Sequence, residues 1–395
     1  MIIYNNEWLK NRKIQDQTML AFNSGEIDAE ELKTIKARYP VGFYTPNVFI
    51  RLGIFLLTLV ILSFSFGLIS LISYDLKIVD SPYYLFFLAV LTYVALESIV
   101  SAKHHYQSGA DDALMWTSAG LLLAAYIFMM DLISLSAHFH HEEIFLFGFS
   151  FLLAGYLTLR FADALMAVTC ILAFAAFVCF GWMEIGIYPL HTLPFLMMAL
   201  TGTLLYSSYL LEKKKLYLLY SNCISAAKML SPLLLYASGN YFVVRELGAS
   251  FGAEVLKEGQ GIPFGWFFWC WTFISPLLYI SYGLKKKDVI LLRSGLILVA
   301  VAAFTLKNYY HLMPPEHLLV LVGAGLIGIA WIAMRYLKDN KYGFTAAEIE
   351  DDDLLDKIQV ESLIVGETFS GSQPDLQSQR MGGGTFGGGG ASSNF

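Results

Sequence analysis

Long apolar runs separated by short polar stretches dominate the chain from residue 49 onward. Ten can be marked, at approximately 49–73, 83–102, 114–136, 144–161, 164–183, 193–211, 217–244, 263–284, 289–307 and 317–337. An α-helix rises about 1.5 Å per residue, so spanning the hydrocarbon of a bilayer takes roughly 20 apolar residues, and most of the runs reach that length. Backbone amides in lipid find no water, so such segments are expected as helices, which satisfy their own hydrogen bonds. Only Arg160, Ala162 and Asp163 divide the fourth run from the fifth, which predicts a tight turn. The fold class that follows is all-α: a polytopic transmembrane bundle of about ten helices occupying residues 46–337.

Polar segments flank the bundle. Residues 1–45 are expected as two short helices broken at Ser24-Gly25-Glu26. Asp28 can cap the second, with Glu31 three residues on as its capping-box partner and Ile27 against Leu32 as a staple, and Pro40 ends it. Lys33, Lys36 and Arg38 suit a position beside the membrane surface. Beyond the last run, Thr345 and Glu348 form another capping-box pattern that opens an acidic helix within 338–366. From Glu367 the chain is rich in Ser, Gln and Gly and is expected to be disordered.

Composition agrees with the pattern. The 395 residues are 56% hydrophobic and 15% charged, whereas a soluble domain carries roughly 25% charged residues to face water all round. Net charge is −6, but residues 1–337 hold 22 acidic and 22 basic side chains and residues 338–395 hold 10 and 4. The acidity therefore belongs to the tail and says nothing about a substrate. No basic patch interleaved with aromatics points to nucleic acid. Cys170, Cys179, Cys223 and Cys270 all lie in apolar runs without a CxxC pair, and are expected as small buried apolar residues.

The distribution of cations predicts orientation. If the N-terminus faces the cytoplasm, 18 Lys and Arg residues up to Lys341 fall on the cytoplasmic side and 4 (Lys77, Arg245, Lys257, Lys307) on the other. Positive charge concentrates in cytoplasmic loops, so both termini are expected inside. The Lys213–Lys215 and Lys285–Lys287 runs then serve as orientation anchors. Met1 to Lys13 lacks an apolar core, which leaves the first hydrophobic helix to act as the insertion signal.

Ionisable residues within the spans are the natural site candidates, because each is costly in lipid. These are Glu97, Asp131, Lys228 and Arg293. Glu97 is expected about 8 Å deep and Arg293 about 6 Å deep, so they share a level and could pair. Lys228 is expected about 16 Å deep, with no acid at its level. Its helix also carries Asn222, Ser225, Ser231-Pro232 and Gly239, and the next carries Ser275-Pro276. Interrupted helices around a mid-membrane cation are how transporters build solute sites.

Six of the eight histidines fall on the side opposite the cation-rich loops. The run His138-Phe139-His140-His141-Glu142-Glu143 is dense enough to ligate a divalent metal, although it lacks HExxH spacing. No GxSG, HExxH or phosphate-binding loop is present, and no cofactor is expected.

Two stretches resemble known proteins. Gly25-Glu26-Ile27 with Glu30-Glu31, Arg38-Tyr39-Pro40 and the Ser108-Gly109-Ala110 to Gly120 stretch resemble a family of predicted bacterial membrane proteins of unknown function. The terminal segment Gly382 to Phe395 is similar to the glycine-rich, aromatic-ended tails of bacterial TPM-domain membrane proteins, though no TPM domain is visible. The resemblances imply a bacterial inner membrane and a protein partner that reads the tail.

Three functions stay open at this point. The first is a non-enzymatic scaffold or envelope-maintenance component whose tail recruits a partner. The second is a transporter of a small anionic or amphiphilic solute through a cavity at Lys228. The third is an envelope-facing transferase using the 245–262 loop.

Overall fold

The computed structural model describes residues 2–137, 142–185, 189–214, 217–250 and 262–309, with isolated helical positions between 320 and 335. The tenth apolar run falls largely outside these residues, and the acidic helix and Gly-rich tail lie wholly outside them. The described chain is helical throughout: α1 (Asn6–Asn23), α2 (Ala29–Arg38), α3 (Val48–Ser73), α4 (Pro82–Lys103), α5 (Ala110–Ala137), α6 (Glu142–Phe161), α7 (Ala164–Ile185), α8 (Pro189–Glu212), α9 (Tyr217–Gly239), α10 (Tyr241–Ser250), α11 (Gly265–Lys286) and α12 (Val289–Tyr309). Nine of these, α3 to α9 with α11 and α12, are long and apolar enough to cross a membrane.

Helix boundaries follow local chemistry. Asn5 accepts from Glu7 N–H, Asn47 from Ile50 N–H and Ser81 from Tyr83 N–H, each supplying an acceptor to an otherwise orphaned amide. The capping box expected at Asp28 and Glu31 forms with both of its bonds. The predicted tight turn is also present: α6 ends at Phe161, Ala162 takes a left-handed φ of 50°, and Asp163 caps α7 through Met166 N–H at 2.8 Å.

Consecutive spans pack as antiparallel hairpins, α4 with α5, α6 with α7, α8 with α9 and α11 with α12. Helix α9 is the hub, touching α1, α7, α8, α10, α11 and α12. Small residues allow the close crossings, as is usual where no hydrophobic effect drives helices together. A Cβ on Gly239 would meet the Trp271 ring at 2.5 Å, and one on Gly283 would meet the Leu292 backbone at 2.8 Å. By contrast α3 has no buried residue and leans mainly on α5, with a Ser70–Tyr84 hydrogen bond to α4, while Leu56, Phe64 and Leu71 face outward. An exposed apolar helix of this kind requires lipid around it.

The N-terminal segment closes one face of the bundle. Ile3 N–H bonds Arg160 O at 3.0 Å, and Tyr44 N–H bonds His104 O at 3.1 Å. Tyr4, Trp8, Phe43, His104 and Tyr106 interlock edge to face or stacked, with the Arg12 guanidinium 5.3 Å from the Tyr106 ring centre. Buried among these rings, the Tyr106 phenol is pushed up to about 12.

Several sequence expectations need correction. The run at 217–244 is two helices, broken at Asn240, whose carboxamide oxygen caps α10 through Phe242 and Val243 N–H. Pro232 and Pro276 sit buried within α9 and α11 without a non-helical residue beside them, and α9 is kinked instead at Tyr220. Of the four cysteines only Cys223 is buried, and Cys270 is exposed, because a span surrounded by lipid gains nothing by hiding an apolar thiol from its neighbours.

Candidate functional site

Three charged clusters gather near the face that the N-terminal segment covers. The first is built around Lys228. Its Nζ lies 3.2 Å from Glu212 Oε2 at the end of α8 and 3.2 Å from Asp288 Oδ2 at the start of α12. The ammonium also sits 4.7 Å from the centre of the Tyr209 ring, whose hydroxyl donates to Asp288 Oδ2 at 2.5 Å. The other Asp288 oxygen accepts from Leu291 N–H and caps α12. Lys228 and Asp288 are only 13% and 11% exposed, so the pair is shielded from water and from salt.

This overturns the expectation that no acid shares the level of Lys228. Depth counted from Tyr217 places Lys228 too far in. The Cys223 thiol donates to Asp163 O, so Cys223, not Tyr217, is level with the α6–α7 turn. Lys228 is therefore about 8 Å beyond that turn at 1.5 Å per residue. Glu212 and Asp288 were not singled out from sequence because each adjoins a lysine triplet that reads as an exposed loop. The signal available was an acid immediately beside each triplet, Glu212-Lys213 and Lys287-Asp288.

The second cluster joins α4 to α6. Both Arg160 Nε and Nη2 donate to Glu97 Oε1, at 3.0 and 2.9 Å, and the Tyr93 hydroxyl donates to the same oxygen at 2.7 Å. Tyr156 meets the Tyr93 hydroxyl at 2.6 Å. Glu97 thus takes Arg160 as its partner, not Arg293. Arg160 belongs to the last turn of α6 rather than to a loop, while Arg293 is exposed on α12. Asn222 is likewise exposed and joins neither cluster.

The third cluster was not foreseen. Arg51, inside α3 rather than ahead of it, donates from Nε to Asp112 Oδ2 at 2.7 Å across 61 positions of sequence. Asp111 accepts from Ser108 N–H and hydroxyl, and Asp163 stands across from them in the α6–α7 turn. These three aspartates, with Tyr4, Gln107 and Met115, line a void of about 10 Å³. Burial pushes the Asp163 carboxyl above the usual range. Asp111 and Asp112 stand in the first turn of α5, where acids complement the helix dipole, so nothing local in the sequence marks them as part of a cluster.

On the opposite face Asp131 lines an open cavity of about 640 Å³ between α5 and α6, with Glu142, Glu143 and Tyr126. His138, His140 and His141 lie outside the described residues, and among the described residues no three His, Cys, Asp or Glu side chains converge for a metal.

Nine apolar membrane-length helices among the described residues, most of them paired in antiparallel hairpins, with lipid-facing side chains on α3, make this a multi-pass membrane protein. Comparison with protein-family models, curated proteins and solved structures finds no match to the chain.

Proposed function

We propose that the chain is a non-enzymatic scaffold of the bacterial inner membrane, with both termini in the cytoplasm and a C-terminal tail, Gly382 to Phe395, that recruits a protein partner. The observation that carries this is the closure of Lys228 by Glu212, Asp288 and Tyr209. An anionic solute would have to displace two carboxylates from a shielded ammonium, which a solute site open to water avoids. The paired Glu97 and Arg160 supply no free cation either. The excess of cations at the face covered by the N-terminal segment supports its cytoplasmic address.

The experiment combines Lys228→Met with deletion from Glu367. Purified protein in liposomes is tested for uptake of labelled small organic anions, and tagged protein in cells is tested for retained partners. A scaffold loses its partner on tail deletion and shows no uptake with or without Lys228. Uptake by the intact protein that Lys228→Met abolishes would establish the transporter instead.

A further inference from the structure

We propose that the pocket lined by Tyr4, Asp111, Asp112 and Asp163 is a proton-binding site, and that a proton taken up there fastens the N-terminal segment to the bundle. The proposal is independent of the scaffold function.

Three carboxylates face one void with a single cation, Arg51, beside them. Arg51 commits both its Nε and an Nη to Asp112 Oδ2, each at 2.7 Å. Fully ionised, the cluster would hold two uncompensated negative charges. The void is about 10 Å³, room for one water at most, and Asp111 is buried with Asp112 and Asp163 partly so, which leaves solvent little room to screen them. Like charges in such a space favour protonation of one member. Asp111 and Asp163 each take hydrogen bonds from local backbone, but those bonds leave the net charge unchanged.

A second observation points to the same ligand. Tyr4 is 8% exposed and lines the void, yet its hydroxyl makes no hydrogen bond among the described residues. Its ring is held by Phe43 and Tyr106, and Ile3 N–H anchors the segment on Arg160 O. The N-terminal segment therefore forms the lid of the carboxylate cluster, and docking it is what removes the cluster from water. A metal is a poorer fit, since among the described residues no three His, Cys, Asp or Glu side chains are placed to ligate one ion.

The remaining charged and titratable groups around the pocket can be named. From α1, Arg12 lies over Tyr106, with Asp16 behind. From the α4–α5 loop, His105 Nδ1 is 2.7 Å from the Ser108 hydroxyl. From α9, the Cys223 thiol donates to Asp163 O. Burial raises the Asp163 carboxyl and the Tyr4 phenol alike, so the phenol stays protonated while the carboxyl titrates. Because docking raises the affinity of the cluster for protons, docking must weaken as pH rises.

The test is hydrogen exchange on the intact protein in nanodiscs, following peptides within residues 2–9 from mildly acidic to mildly alkaline pH, with intrinsic exchange divided out. Protection is expected to fall with rising pH by up to about tenfold per unit for one proton. Combined Asp112→Asn and Asp163→Asn should hold protection high at every pH, and His105→Asn should leave the slope unchanged. Infrared difference spectra should show a protonated carboxyl band in the parent that the double variant lacks. A flat profile in the parent would overturn the proposal. So would a slope that persists in the double variant, a slope lost with His105, or protection that sodium or magnesium restores at fixed pH.

Discussion

Lys228 Nζ, in the middle of α9, lies 3.2 Å from Oδ2 of Asp288, the residue that caps α12 sixty positions later. The contact ties the hub helix to the last described hairpin at a point 11–13% exposed. Removing Asp288 leaves the shielded ammonium with only the half-exposed Glu212, and takes away the acceptor of the Tyr209 hydroxyl and the α12 cap. Asp288→Ala is expected to lower stability by about 3–5 kcal/mol, whereas Lys228→Met, which keeps a long stem and leaves Asp288 its Tyr209 and Leu291 donors, should cost far less. Glu212→Ala, at a site 37% exposed, is expected near 0–1 kcal/mol. Unfolding in detergent followed by tryptophan fluorescence checks the ranking, and equal losses for all three would refute it.

Gly109 sits where α3 meets α5. Its φ is +94°, and a Cβ there would lie 2.1 Å from Arg51 O. Backbone cannot swing aside as a flexible side chain can. Gly109→Ala should therefore cost more than the roughly 1–3 kcal/mol of an unfavourable φ alone, and it should part Arg51 from Asp112. Gly120→Ala, with nothing within 4 Å, serves as the control. Comparable melting temperatures for the two variants would contradict the placement of α3.

Asp163 makes stability depend on pH with a definite sign. Burial raises its folded-state carboxyl, so the folded protein binds the proton more tightly than the unfolded chain does. That contribution is fully present below the unfolded value and is lost as pH climbs through the folded one. Asp163→Asn keeps a competent helix cap and removes the titration. It should match the parent in acid and melt at a higher temperature than the parent in mild alkali. The prediction fails if the two melting curves run parallel with pH.

Orientation can be tested residue by residue. With native cysteines replaced, Cys at 103 or 285 should react with an impermeant thiol reagent only after the cytoplasm is opened, and Cys at 77 or 307 should react on intact cells. A reporter fused after Lys341 should face the cytoplasm. The reverse labelling pattern would overturn both the orientation and the tail's address.

Much of the fold was legible because bilayer physics is one-dimensional. An apolar run of sufficient length must be a helix, and nine runs became spans with ends within a few residues of those expected. Local chemistry was legible for the same reason: the Asp28–Glu31 capping box and the turn at Ala162-Asp163 depend on neighbours three residues apart.

The sites were not legible, since they depend on which helix stands beside which. Arg51 finds Asp112 across 61 positions, Arg160 finds Glu97 across 63, and Lys228 finds Asp288 from another hairpin. Depth along one helix, counted from its first apolar residue, misplaced Lys228 because α9 begins below the level of the neighbouring turn. The sequence alone determined that the chain is a helical membrane bundle, because burying backbone in lipid admits almost no alternative. Only the tertiary structure decided how its charges are neutralised, because an ion pair needs two side chains a few ångströms apart, and that distance is fixed by packing between helices remote in sequence.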